Sequence, residues 1–128
     1  MPNPETNLWN SFRQKLKDKD YFFTRIENRG GGGLPDTYIV GDRSCFWVEL
    51  KVAKGNKVNV SPHQIAWNIK HYAKGGISFF LVRAPSHSNL FLFEGSKALH
   101  LARNGLKTGS LVHGSWSEIL DQMTSYKI

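Results

Sequence analysis

The chain has 128 residues, of which 17 are lysine or arginine and 10 are aspartate or glutamate, so its formal net charge is +7. This length suffices for one hydrophobic core but not for two, and we expect a single domain over residues 1–128. The positive balance favours a polyanionic partner, and the single cysteine excludes a disulfide scaffold. Without an apolar run long enough for a membrane helix or a signal-peptide pattern, we expect a cytoplasmic protein with no membrane partner.

The first half of the chain is predicted to form one helix and three strands. Leu8, Phe12 and Leu16 recur at a spacing of four, which is typical of a helix that buries one face, here over residues 4–19. Runs of apolar, aromatic and β-branched residues predict strands at residues 21–26, 37–40 and 46–52. The polar segment 41–44 is a plausible hairpin turn between the last two strands.

The second half is predicted to contribute a helix, two strands and then further helices. Ser61 and Pro62 are typical of the N-cap and first position of a helix, which Gly75 ends. We expect the buried stripe of that helix to consist of Ile65, Ile69, Tyr72 and Ala73. The remaining elements are strands at 77–82 and 90–93, a short helix at 96–103 and a last helix beginning near Ser115. This order predicts an α/β sandwich around a mixed sheet of four or five strands flanked by helices.

Charged residues on two neighbouring strands are the most informative feature. Glu49 and Lys51 share one face of a strand whose other face is wholly apolar. Charges placed there cost free energy unless they pair or bind something. Asp36 opens the preceding strand, so a hairpin would bring it and Glu49 together at one end of the sheet. Two carboxylates and a lysine suit a hard, oxygen-ligated cation such as Mg²⁺ held against a phosphate.

The residues Pro35-Asp36 and Glu49-Leu50-Lys51 resemble the signature of the PD-(D/E)XK nuclease superfamily. Further matches follow the same order as in its VRR-NUC and phage Holliday-junction-resolvase-like branch: the glycines at 30–33, the SPHQIAW segment at 61–67 and the apolar strand at 77–82. The resemblance covers roughly residues 5 to 83. It implies a restriction-endonuclease-like core.

The resemblance also implies a Mg²⁺-dependent endodeoxyribonuclease, in which Mn²⁺ would substitute for Mg²⁺. Asp36, Glu49 and the backbone carbonyl of Leu50 would hold the metal. Lys51 would orient or deprotonate the attacking water, or stabilise the charge of the transition state. An ordinary surface ion pair is the alternative for Glu49 and Lys51, and would contribute less than about 1 kcal/mol.

Two further assignments follow from the resemblance, and a third follows from the cations that flank the motifs, for each of which a solvated surface side chain is the alternative. Glu5 on the first helix is the candidate third acid, catalytic and metal-binding, although the helix dipole alone favours an acid there. Glu27 is the alternative third acid. Gln64 is a candidate catalytic residue that also completes a capping box with Ser61, and the two roles can coexist. The candidate DNA-binding residues are Arg25, Arg29, Lys54 and Lys57.

The function that we favour from the sequence is a Holliday junction resolvase acting on branched DNA. A small enzyme without an appended recognition domain suits the reading of shape, and two paired incisions require a homodimer. The alternatives are a VRR-NUC-like flap or general DNA nuclease, a non-catalytic nucleic-acid-binding module, and a protein-interaction domain whose acids lie far apart. The compact pattern favours a phage source, and hence the host cytoplasm.

Overall fold

A computed structural model of the chain describes residues 3–26 and 32–128 and shows a mixed sheet between two helical layers. The helices are α1 (Pro4–Asp18), α2 (Pro62–Ala73), α3 (Ala98–Asn104) and α4 (Trp116–Met123). The strands are β1 (Phe22–Arg25), β2 (Thr37–Gly41), β3 (Ser44–Val52), β4 (Ser78–Arg83), β5 (Leu90–Glu94) and β6 (Val112–Gly114). Short 3-10 turns cover Gly95–Lys97 and Gly105–Lys107. Among these residues, no helix is long and apolar enough to cross a membrane.

The six strands lie side by side in the order in which they occur in the chain. All neighbours are antiparallel except β3 and β4, which are parallel and are connected by the crossover through α2. The predicted count of four or five strands is therefore too low. The strand that it lacks, β6, has only three residues and no run of β-branched or aromatic side chains, so its pairing with β5 is what defines it.

Helices α1 and α4 cover one face of the sheet. The side chain of Asn3 caps α1 by accepting a hydrogen bond from the Thr6 N–H at 2.8 Å. Leu8, Phe12 and Leu16 are fully buried against the sheet, which confirms the predicted amphipathic helix. Helices α2 and α3 cover the opposite face with a second apolar cluster.

A tight turn sets the register of β2 and β3. Asp42 and Arg43 have φ angles of 50° and 63°, the left-handed pair of a two-residue hairpin turn whose twist matches that of the strands. The resulting register pairs Thr37 with Val48. Because side chains alternate along a strand, Glu49 then lies on the α2 side of the sheet.

The prediction of an apolar buried stripe on α2 is wrong for three of its four residues. Ile69 is 47% exposed, Tyr72 is 52% exposed, and Ala73 is also exposed, whereas Ile65 packs partly against the core. The more buried side of the helix consists of Gln64, Trp67, Asn68 and His71. These positions have helical spacing, but three of the four side chains are polar, and two of them, Gln64 and Asn68, bond to Lys51 and Ser78 of the sheet.

The side chain of Asn68 connects α2 to the sheet through hydrogen bonds. Its side-chain amide donates to the Gln64 carbonyl at 2.8 Å, and its carbonyl oxygen accepts from the Ser78 hydroxyl at 2.7 Å. Gly95 packs directly on this pair, since a Cβ added there would lie 1.9 Å from the Ser78 hydroxyl oxygen. Buried polar groups satisfied in this way orient a helix more specifically than apolar contacts do.

Replacing Asn68 by alanine should lower the free energy of unfolding by about 1–3 kcal/mol, because the buried Ser78 hydroxyl loses its acceptor. Urea denaturation measures the change. Asn10→Ala, at an exposed position of α1, is the matched control and should be neutral or slightly stabilising. Equal stability of Asn68→Ala and the unsubstituted protein would show that the contact does not hold α2.

Candidate active site

Asp36 and Glu49 lie together at the end of the sheet where β2 begins. One carboxylate oxygen of Asp36 accepts a hydrogen bond from the Leu50 N–H at 2.9 Å. The backbone carbonyl of Asp36 accepts from the Ile26 N–H at 2.6 Å, so the residue is held from both neighbouring strands. Glu49 is only 7% exposed. The hairpin therefore brings the two acids together, as its register requires.

The pKa of Glu49 is raised to about 9. Burial is the largest cause, followed by the negative charge of Asp36; the Lys51 ammonium opposes both. A hydrogen bond to Asp36 and the charge of Glu5 raise the pKa further. At neutral pH the carboxyl pair therefore holds a proton, and a cation that binds between the two groups would displace it.

Lys51 and Gln64 are directly linked. The Lys51 ammonium donates to the Gln64 side-chain oxygen at 2.9 Å, and the same oxygen accepts from the Ser61 N–H at 3.0 Å. The Ser61 hydroxyl accepts from the Gln64 N–H at 3.1 Å, which completes the capping box. Gln64 thus caps α2 and contacts Lys51 at once, whereas its catalytic role stays a prediction.

Asn68 supports this site, although no sequence motif indicates it. It lies one helical turn after Gln64 and bonds to the Gln64 carbonyl, so it positions the helix that presents Gln64 to Lys51. The four-residue spacing of Gln64 and Asn68 is visible in the sequence, but a pattern of apolar residues on one helix face does not indicate an asparagine.

Glu5 lies in the first turn of α1, exposed but near enough for its charge to act on Glu49. Within residues 3–26 and 32–128, no three acid, histidine or cysteine side chains converge as a ready-made metal site. Asp36 and Glu49 therefore form a pair of acids, and metal binding by Glu5 stays a prediction. The alternative acid, Glu27, lies outside the described residues.

The donor set at this end of the sheet fits Mg²⁺. Mg²⁺ usually keeps several waters and is held by one or two carboxylates together with substrate phosphates. Asp36 and Glu49 supply two carboxylates, and the carbonyl of Leu50 would be a third oxygen. A bound dication would offset the negative charge of the two acids that burial and proximity otherwise disfavour.

Gly33 brings the segment before Asp36 against the start of α2. Its φ angle is +83°, and a Cβ there would lie 2.2 Å from the backbone oxygen of His63. Of the predicted glycine-rich lead, this position requires glycine for a close backbone approach. The glycines at 30 and 31 lie outside the described residues.

The four candidate DNA-binding residues differ in their surroundings. Arg25 lies over the Trp9 ring, with its guanidinium carbon 4.4 Å from the ring centroid. Lys54 and Lys57 are exposed and face each other across a small β-bridge after β3. Arg29 lies outside the described residues. Contact of any of them with DNA stays a prediction.

Comparison with solved structures identifies a similar fold. Hjc, a Holliday junction resolvase from the archaeal hyperthermophile Archaeoglobus fulgidus, matches with a TM-score of 0.56 and 15% sequence identity, over 70% of this chain and 76% of that chain. No protein-family model matches the chain, and no curated protein matches its sequence. At this identity the likeness concerns the fold. It confirms the predicted α/β class with a restriction-endonuclease-like core, with six strands in place of four or five.

The stability of the protein should fall as the pH rises from 4.5 towards 9 in the absence of divalent cations. The ordinary pKa of Glu49 is 4.5 and the folded-state pKa is about 9, so between these values the folded state holds a proton that the unfolded chain has released. Glu49→Gln cannot titrate and should lose most of this decline. Urea denaturation at several pH values measures both proteins. Parallel curves would contradict the raised pKa of Glu49.

Proposed function

We propose that this protein is a metal-dependent endodeoxyribonuclease and that its substrate is branched DNA, in the first place the four-way Holliday junction. The observation that carries the proposal is buried Glu49 paired with half-buried Asp36, with Lys51 on the same strand face as Glu49. Burying an acid beside a second acid costs free energy that packing alone does not return. The likeness of the fold to a Holliday junction resolvase supports the choice of substrate.

Each residue then has a distinct task in phosphodiester hydrolysis. Bound Mg²⁺, or Mn²⁺ in its place, would supply Lewis-acid stabilisation of the phosphoryl charge and an acidified water. One carboxylate oxygen of Asp36 accepts a hydrogen bond from the Leu50 N–H, and this bond fixes the direction of the other oxygen. Glu49 would hold the metal as a carboxylate, having given up its proton. Lys51, steadied by Gln64, donates to the attacking water or to the phosphoryl oxygens.

The proposal includes a homodimer, because resolving a four-way junction requires two coordinated incisions by two sites. It also includes the cytoplasm as its location, that of the host if a phage encodes the protein. The net charge of +7 supports a nucleic-acid substrate. Membership of the VRR-NUC branch, with cleavage of flaps or of DNA in general, is the second candidate and shares the same residues.

Two other candidates are less well supported. A protein-interaction domain with fortuitous acids would keep Asp36 and Glu49 apart, whereas the structure brings them together. A non-catalytic nucleic-acid-binding module gives no reason for a buried acid beside Lys51, since phosphate binding needs cations alone.

End-labelled four-way junction, flap, single-stranded and linear duplex DNA should be compared as substrates in Mg²⁺. We expect paired symmetric nicks on the junction. Asp36→Asn and Glu49→Ala should abolish cleavage while junction binding persists, and Lys51→Met should reduce the rate by about 10²–10³-fold because it removes one transition-state donor. Asp121→Asn, an exposed acid of α4, is the matched control and should cleave normally.

The pattern of products distinguishes the candidates. Cleavage of flaps or ends with the same dependence on Asp36 would replace the resolvase by the VRR-NUC-like alternative. Full activity of Asp36→Asn or Glu49→Ala would remove the acid pair from the mechanism. Absence of cleavage on every substrate, with binding retained, would favour the non-catalytic module.

Cleavage should require Mg²⁺ or Mn²⁺, and Ca²⁺ should support junction binding without turnover. The acid pair fits a small dication, and Ca²⁺ takes more ligands in a looser geometry that positions water poorly. Cleavage rates in each metal and in EDTA test this expectation. Undiminished activity in EDTA would exclude metal dependence.

A further inference from the structure

The positive charge of the chain is concentrated in one continuous segment. Residues 50–117 contain nine lysines and arginines and a single acid, Glu94, so the segment carries a net charge of +8, while the rest of the chain carries −1. This segment includes α2 and α3, the two helices that cover the sheet face on which Glu49 lies. The layer on the α1 side is nearly balanced. A polyanion is therefore attracted to the surface that this segment forms.

Within this segment, two adjoining cavities form one basic groove. Their volumes are about 330 Å³ and about 450 Å³, and they share Lys54, Lys57 and Ala102 as lining residues. We call them together the 54–107 groove; its cationic lining residues are Lys54, Lys57, Arg103 and Lys107, all exposed. Among the described residues, no aspartate or glutamate lines either cavity.

The walls of the 54–107 groove are held in place by backbone contacts. Lys54 and Lys57 exchange two backbone hydrogen bonds of 2.9 Å, and the Leu106 N–H donates to the Asn56 carbonyl at 2.8 Å. Gly105, with φ +57°, fits against Asn56 so closely that a Cβ would lie 1.8 Å from the Asn56 oxygen. The fold thus holds four cations around one concave surface, although their mutual repulsion opposes it.

The groove lies at the same end of β3 as the candidate active site. Val52, the last residue of β3, lines the groove. Asp36 and Glu49 lie at this end of β3 as well, since β2 begins opposite Val48. The 54–107 groove and the acid pair are therefore both reached from one end of the strand.

We infer that the 54–107 groove binds the sugar-phosphate backbone of a duplex arm of the DNA, outside the site of cleavage. Arg103 and Lys107 extend the phosphate-contacting surface beyond Lys54 and Lys57. No aromatic side chain lines the groove within the described part of the chain, so it offers no platform on which a base would stack. Binding in the groove depends on the charge and shape of the DNA and not on its base sequence. That the bound DNA is an arm of a junction cleaved by this protein rests on the proposed function. Binding of phosphates in the groove does not depend on cleavage.

The test is the salt dependence of binding of fluorescent four-way junctions, measured by anisotropy in Ca²⁺ so that no turnover occurs. Each phosphate contact contributes about 0.9 to the slope of log affinity against log salt concentration. Arg103→Ala/Lys107→Ala should therefore lower the slope by about two on junctions whose arms exceed one helical turn. Lys17→Ala/Lys19→Ala removes the same charge from exposed positions near the end of α1 and should change the slope little.

The control pair decides the outcome. A slope for Arg103→Ala/Lys107→Ala that matches that of Lys17→Ala/Lys19→Ala would overturn the inference. A groove effect without cleavage would refute the proposed function alone, and cleavage without a groove effect would refute the inference alone.

Discussion

Burial of Glu49 beside Asp36 is the interaction on which the organisation of this protein depends. Glu49 is buried in a strand whose other residues are buried or half-buried, so its carboxyl cannot be hydrated as it would be at the surface. The second acid adds repulsion, which the protein relieves by holding a proton between the two groups. The left-handed turn and the close packing of Gly33 both maintain this juxtaposition. A free-energy cost concentrated on a few ionisable residues is characteristic of functional sites.

Helix α2 shows how a site can determine the packing around it. Its sheet-facing side carries Gln64 and Asn68, and these bond to Lys51 and Ser78. Apolar side chains at the same positions would bury more area but would leave the strand's polar groups without partners. The consequence is an outward-facing side that retains Ile69 and Tyr72 at about half exposure. The polar contacts of Gln64 and Asn68 therefore take the place of the apolar face that a helix usually packs against a sheet.

The two helical layers also differ in their electrostatics. The α1 and α4 layer encloses the larger apolar cluster and carries little net charge, whereas the segment 50–117, which includes α2 and α3, holds nearly all the excess of lysine and arginine. The acid pair lies at one end of the central strands, with Glu49 on the α2 side of the sheet. A polyanion attracted to this segment would thus approach the side on which Glu49 lies.

Much of this could be predicted from the sequence, because local patterns determine it. The spacing of Leu8, Phe12 and Leu16, the alternation along β3 and the capping box at Ser61 specify elements and faces through backbone geometry alone. The pairing of Asp36 with Glu49 also followed, since a short hairpin leaves little freedom of register. Tertiary structure decided the buried side of α2, the sixth strand, the raised pKa of Glu49 and the 54–107 groove. Each of these features depends on contacts between segments that are far apart in the chain. The polarity or charge of the surface that those segments form together cannot be deduced from either segment alone.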